Sequence, residues 1–181
     1  VWAGVQDPLN ARSVAAKALG LDTSQVRLTN FLLGGGFGRR LPFNFDYIDL
    51  GVRIAKAVSP TPVKMIWTRE NETQHDYYRP AALSRHAGAL DGNGLPTAVA
   101  SKYTGPGDGE ALAMPYAIAA KDADAVKSPH HVREGQWRSV NNSQHGFFKE
   151  SFIDELAVAA GADPFGFRRA LLNDQPRFKA A

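Results

Sequence analysis

No cysteine occurs among the 181 residues. This absence excludes a disulfide framework, a thiolate zinc site, a cysteine nucleophile and any iron–sulfur cluster ligated by this segment, and it carries no information on compartment. Histidine is sparse: His75, His86, His130, His131 and His145 fall in no His-Glu-x-x-His pattern and have no second ligand at helical spacing. Adjacent His130 and His131 point to opposite faces if extended, which reads as a surface loop. His75, followed by Asp76, Tyr77 and Tyr78, is open to either a structural or a functional reading. No apolar run approaches the roughly 20 residues that cross a bilayer, and the N-terminal stretch lacks the charged-then-apolar plan of a leader, so a soluble segment with no transmembrane helix is expected. The 21 basic residues are scattered and offset by 18 acidic ones, with no basic stripe interleaved with aromatics, which excludes a nucleic-acid partner. No serine sits in a Gly-x-Ser-x-Gly elbow.

What is present is enough apolar content, 44%, to bury a real core. Residues 1–4 read as part of a strand and residues 177–181 as a helix beginning, and no initiator methionine is present. Residues 1–181 are therefore expected to form a single partial domain truncated at both ends. Residues 11–19 read as a helix stopped by Gly20. The apolar run at 26–33 reads as a strand entering a glycine loop. Asn44 or Asp46 is a candidate cap for a helix with a buried stripe of Tyr47, Leu50, Ile54 and Val58, ended by Pro60 and Pro62. A short buried strand is expected at 63–67 and a helix start at 68–71. Residues 83–90 and 98–103, joined through Asp91, Gly92, Asn93 and Gly94, read as a hairpin. A Gly/Pro-rich loop at 104–115, a strand at 132–138 and helices at 144–160 and 164–172 complete a mixed α/β (α+β) fold, with Asp163 and Pro164 forming a cap and N1 pair.

The most informative stretch is Gly34, Gly35, Gly36, Phe37 and Gly38, followed by Arg39 and Arg40. Successive glycines let backbone N–H groups converge on an anion at close range, and three of these glycines are expected to take positive or extended φ values. A P-loop is excluded because Arg39, Arg40 and Leu41 follow the last glycine, and a dinucleotide fingerprint begun at Gly34 would need glycine where Arg39 stands. The residues alone therefore leave two readings, a tight connector or an anion- or nucleotide-binding loop over 34–40. Glu150, Asp154 and Glu155 share one helix, with Glu150 and Asp154 four apart. They admit a paired-carboxylate catalyst, but a solvated face beside a core stripe of Phe147, Phe148, Phe152, Ile153 and Leu156 fits the amphipathic pattern better.

The glycine loop resembles that of the xanthine dehydrogenase and aldehyde oxidase family of molybdenum hydroxylases. Three further blocks fall in the family's order. Val5, Gln6, Asp7 and Pro8 are similar to its Thr-Gln-Asn-Pro segment. Val63 to Glu70 resembles its Pro-Val-Lys-strand-Thr-Arg-Glu segment. Trp137, Arg138, Ser139 and Val140 stand where it carries Phe-Arg-Gly-Phe, before a Glu-Ser-Phe-Ile-Asp-Glu-Leu helix matched by residues 150–156. The Trp-Arg-Ser form, the double arginine and the run from His75 to Pro80 resemble the isoquinoline 1-oxidoreductase branch.

The resemblance implies a partial molybdenum-cofactor-binding domain from an oxidoreductase that hydroxylates N-heterocycles such as isoquinoline, or aldehydes, with water as oxygen source. It implies a molybdenum–pterin cofactor in the cytosine dinucleotide form, held by its own dithiolene and oriented by protein hydrogen bonds. Gln6 would donate to an oxygen ligand of the metal, the backbone N–H groups at Phe37 and Arg138 would approach it, and Gly35, Gly36 and Gly38 would admit the cofactor. Leu41 stands where purine-oxidising relatives carry glutamate and Val140 where they carry a phenylalanine clamp, so both are expected to line a substrate pocket unsuited to purines. The family's catalytic base is a glutamate of a Gly-Glu segment that has no counterpart here. The piece alone is therefore expected to hold no cofactor and to be inactive. A small 2Fe–2S partner subunit and a bacterial cytoplasmic or periplasmic setting are implied for the full-length protein.

Overall fold

The computed structural model describes residues 1–42, 45–105, 113–129 and 131–181. The candidate cap Asn44, the centre of the glycine- and proline-rich loop and His130 lie outside those residues. The chain divides into two compact units, residues 1–79 with 132–138, and residues 80–131 with 139–181.

In the first unit, β1 (Trp2–Ala3) pairs in parallel with β2 (Thr29–Asn30). Between them runs α1 (Pro8–Leu19), which ends where expected but starts three residues earlier than the expected residue 11. The Asp7 carboxylate accepts from the N–H of Asn10, Pro8 occupies the first turn, and Gly20 ends the helix at φ 69°. α1 carries alanines at its buried positions 11, 15 and 16, and these meet Ile48 and Val52 of α2 (Asp46–Ala57), with Val5, Val26 and Phe45 filling the core. α3 (Arg69–His75) is capped by the Thr68 hydroxyl, which accepts from the N–H of Asn71.

The second unit is built on β3 (Leu83–Leu90), β4 (Pro96–Thr104) and β5 (Ala120–Ala125). β3 and β4 are antiparallel, and β5 adds to β4 in parallel. The hairpin turn follows its sequence: Gly94 has φ 78°, and the Asp91 carboxylate accepts from the N–H groups of Asn93 and Leu95. α4 (Asn142–Ala159) and α5 (Pro164–Ala170) pack over a core of Val99, Tyr116, Ile118, Ile153, Leu156, Phe167, Leu171 and Leu172. Asp163 caps α5 through the N–H of Gly166, and a short α6 (Pro176–Ala180) follows.

Several expectations are corrected. Only Thr29 and Asn30 of the 26–33 run are strand, and Leu32 is fully exposed at 102%. Residues 63–67 form no ladder among the described residues, and Ile66 is 74% exposed. Pairing there depends on partners remote in sequence, which apolar content does not reveal. On α2 the buried face is Phe45, Ile48 and Val52 rather than Tyr47, Leu50, Ile54 and Val58, because the stripe two residues earlier is the one that meets α1. Residues 132–138 contribute only a single bridge, Glu134 to Tyr78, and β5, an alternation of alanine with charge, was not legible as a strand.

On α4, Ile153 and Leu156 are buried as expected, whereas Phe147 is 69% exposed and Gln144, His145 and Lys149 are buried. The Lys149 ammonium donates to the carbonyl of Ala113 at 2.8 Å. Of the acids of that helix, Asp154 and Glu155 are exposed, as expected of a solvated face, and Glu150 is about half exposed. Arg168 of α5 binds Glu150 at 3.0 Å and Asp154, and Glu150 also accepts from the Tyr116 hydroxyl at 2.8 Å.

Two outcomes follow for stability. Ile153→Ala should destabilise the chain by about 2–5 kcal/mol in urea unfolding, as a fully buried isoleucine does, whereas Ile66→Ala should stay within about 0.5 kcal/mol. Equal costs would contradict the corrected burial pattern. Burial pushes the Tyr116 phenol up to about 12, the adjacent Glu150 carboxylate adds to the rise, and Arg168 opposes it. A raised folded value means that this contribution is complete below the ordinary value of 10.0 and is lost as pH climbs from there to about 12. Tyr116→Phe should remove that part of the alkaline decline, measured as the difference between the two urea midpoints across this range.

Candidate functional site

The glycine loop, the segment before α1 and residues 133–137 come together in the first unit. Gln6 is held by its backbone. The Asn30 side chain clamps the preceding residue, accepting from the Val5 N–H at 2.9 Å and donating to the Val5 carbonyl at 3.1 Å, as a further rung beyond β1 and β2. The Gln6 N–H itself donates to the Arg40 carbonyl at 3.2 Å. Its exposed side chain then reaches over Gly36, where an added Cβ would lie 3.1 Å from the Gln6 Oε1.

Gly35 has φ 145°, Phe37 50° and Gly38 101°. Positive φ thus falls on two of the loop's glycines and on Phe37, a conformation that a side chain adopts only at some cost. The need at Gly36 is closeness instead: an added Cβ would meet the Arg40 side chain at 3.2 Å as well as Gln6. At Gly38 the need is absolute, because a Cβ would lie 2.0 Å from the Gln136 carbonyl oxygen and 2.6 Å from the Trp137 Cα. The loop and the Trp137 segment, two of the blocks singled out in the sequence, thus touch backbone to backbone.

The N–H of Arg39 donates to the Gly36 carbonyl at 2.8 Å and that of Leu41 to the Gly38 carbonyl at 3.2 Å. The N–H groups of Gly35, Gly36, Phe37 and Gly38 find no acceptor among the described residues. Four successive unused donors beside a carboxamide make a cradle for a group rich in hydrogen-bond acceptors. Among the described residues no three His, Cys, Asp or Glu side chains cluster as metal ligands. The donor set therefore fits an acceptor-rich group, such as a cofactor that brings its own metal ligands, rather than a bare metal cation.

Arg39 does not face solvent. Its guanidinium binds Asp46 at 2.8 Å and Asp76 at 2.7 Å and lies 5.3–5.4 Å from the ring centres of Tyr47, Trp67 and Tyr77. Arg133 binds the other oxygen of Asp46 at 2.8 Å, hydrogen-bonds the Tyr77 hydroxyl and stacks on its ring at 3.8 Å. Arg40 lies over Tyr47 at 4.4 Å. Asn30, Asp46, Asp76, Tyr77 and Arg133 were not legible as site residues, since each acts through a partner distant in the chain.

Of the remaining candidates, Leu41 is half-buried at the end of the loop and Arg138 is an exposed residue at the end of the first unit. Val140 belongs to the second unit, where it and Ser139 take φ 50° and 71°. His75 is the last residue of α3, and His131 is exposed. A groove of about 820 Å³ lies between β1, α2 and residues 61–67, with Arg39 and Arg40 also on its wall.

The model of the molybdopterin cofactor-binding domain family matches residues 1–172. The chain is 35% identical over 190 residues to the Membrane-bound aldehyde dehydrogenase (pyrroloquinoline-quinone) of Gluconacetobacter polyoxogenes, covering 91% of this chain and 24% of that protein. It is 30% identical over 196 residues to Isoquinoline 1-oxidoreductase subunit beta of Brevundimonas diminuta, covering 97% and 25%. The chain therefore spans about a quarter of the length of these two relatives. Quinoline 2-oxidoreductase from Pseudomonas putida 86 shares the fold with a TM-score of 0.71 at 20% identity, over 93% of this chain and 23% of that one. Aldehyde oxidoreductase from Desulfovibrio gigas does so with 0.70 at 24%, over 88% and 19%.

The two ends of the glycine loop should respond differently to alanine. Gly34 has open space around it, whereas Gly38 meets backbone. Gly38→Ala should cost at least about 2 kcal/mol in urea unfolding, from strained backbone and displaced Gln136, and Gly34→Ala should be nearly neutral. Equal tolerance at both positions would contradict the backbone contact.

Proposed function

The chain belongs to the molybdopterin cofactor-binding domain family, and we propose that in its full-length protein it orients a molybdenum–pterin cofactor for hydroxylation of N-heterocycles such as isoquinoline, or of aldehydes, with water as oxygen source. The observation that carries this reading is the row of unused N–H groups at Gly35, Gly36, Phe37 and Gly38 beside the Gln6 carboxamide. Bound there, the cofactor supplies the redox centre and its own metal ligands.

The residues of this chain then act by donating hydrogen bonds and by shaping the pocket. The Gln6 amide and the Phe37 N–H polarise acceptor atoms without adding charge, and the N–H of Arg138 contributes likewise. Gly36 and Gly38 let backbone approach where a side chain would block it. Leu41 gives the substrate side an apolar side chain, which favours neutral rings or aldehydes over purines. The base, which would take a proton from the water-derived oxygen, is assigned to a glutamate outside these residues. The cytosine dinucleotide form of the cofactor, a small 2Fe–2S partner subunit and a cytoplasmic or periplasmic setting belong to the same proposal.

A non-catalytic anion- or nucleotide-binding module could use the same N–H groups. Metal analysis of the full-length protein separates the readings: stoichiometric molybdenum supports the oxidoreductase, and phosphate or nucleotide binding without molybdenum supports the module. Since one relative carries pyrroloquinoline-quinone in its name, quinone is assayed on the same preparation, and quinone in place of molybdenum would overturn the proposal.

Gln6 provides the sharpest test. A hydrogen bond to a charged acceptor is worth about 1.5–3 kcal/mol, so Gln6→Ala should lower turnover by about 10- to 150-fold. Molybdenum content should stay near that of the parent because many other groups grip the cofactor. Gln6→Glu should lose more, since it sets a negative charge against the acceptor. Full turnover of Gln6→Ala at full metal occupancy would remove Gln6 from the site.

A further inference from the structure

The two backbone segments that meet at Gly38 are joined a second time, by side chains. Arg39 follows Gly38 directly, and Arg133 stands three residues before Gln136. Both guanidinium groups bind one carboxylate, that of Asp46, with Arg39 on Oδ1 and Arg133 on Oδ2, each at 2.8 Å. The same Oδ1 also accepts from the Tyr47 N–H at 3.0 Å, which ties the carboxylate to the first turn of α2. Asp76 takes the other face of Arg39 at 2.7 Å, so two cations and two anions are closed into a neutral set.

The ionic set is more than a surface pairing. The Arg39 side chain is only 14% exposed and Asp46 29%. The Arg39 guanidinium is surrounded by the rings of Tyr47, Trp67 and Tyr77, and Tyr77 also carries the Arg133 guanidinium on its face. Charge pairs held by aromatic faces and shared within one network lose less on ordering than isolated mobile surface pairs do. Removal of one carboxylate from such a set leaves two guanidinium groups facing each other with a single anion.

We propose that Asp46 is a positioning residue that sets the glycine loop and the 133–137 segment in register, so that the N–H groups of residues 35–38 and the backbone at Trp137 face the cofactor together. The assignment of these groups to the cofactor rests on the function proposed above, whereas the mechanical coupling of the two segments does not. Asp46 touches neither cofactor nor substrate, and it acts through Arg39 and Arg133.

The test is Asp46→Asn in the full-length protein, with Asp46→Glu as the charge-preserving variant and Arg133→Gln as a milder one should Asp46→Asn fail to fold. Hydrogen exchange reads the coupling without reference to activity. The amides of Arg39 and Leu41, bonded within the loop, and that of Gly135, bonded to the Tyr78 carbonyl at 3.0 Å, should all exchange at least about tenfold faster in Asp46→Asn, with α1 amides unchanged. Bound molybdenum per chain should fall several-fold, and kcat should drop more than KM rises. Asp46→Glu should recover much of both, and Arg133→Gln should show the same pattern at smaller size. If exchange quickens in one segment only, or in neither, the coupling is refuted. Coupled exchange in a parent protein that holds no molybdenum would instead overturn the proposed function and leave the coupling standing.

Discussion

The carbonyl oxygen of Gln136 lies where any side chain at position 38 would have to begin, 2.0 Å from the place of a Cβ. Because that contact is between two stretches of backbone, it fixes where the glycine loop turns and which way its N–H groups face. The loop enters from β2, reverses through positive φ at Gly35, Phe37 and Gly38, and leaves toward α2. Neither Arg39 nor Arg40 is then available as a mobile charge, because each is stacked on aromatic rings. What the loop presents to an acceptor-rich ligand is therefore oriented peptide N–H groups rather than mobile cationic side chains.

Gln6 is placed with comparable economy. Asn30 reproduces a rung of sheet with its side chain, binding both backbone groups of Val5, and Asp7 caps α1 one residue beyond Gln6. The backbone of Gln6 is thus fixed between a clamp and a helix start and is itself tied to Arg40.

Local chemistry was legible in the sequence, and remote pairing was not. Gly20, Thr68, the Asp91 turn, and Asp163 with Pro164 all act within four residues of themselves, and each marks an element where the structure has one. The runs at 26–33 and 63–67 carry strand-like composition, but strand formation needs a partner, and only Thr29 and Asn30 have one. β5 shows the converse: alternating alanine and charge makes a poor strand signal, yet β4 pairs with six consecutive residues from Ala120 to Ala125. Within the site, the glycines, Gln6 and Trp137 could be picked out by resemblance. Asp46 and Arg133, 87 residues apart, could not, because nothing local distinguishes an anchoring carboxylate from a solvated one at a helix start.

The most direct test of the account is a crystal structure of the full-length protein with its cofactor bound. The Phe37 backbone nitrogen and the Gln6 Nε2 should then lie within about 3.2 Å of acceptor atoms of the cofactor or of its metal ligands, with Gly38 still against Gln136. A cofactor seated elsewhere, with the N–H groups of residues 35–38 facing solvent or another segment of protein, would contradict it.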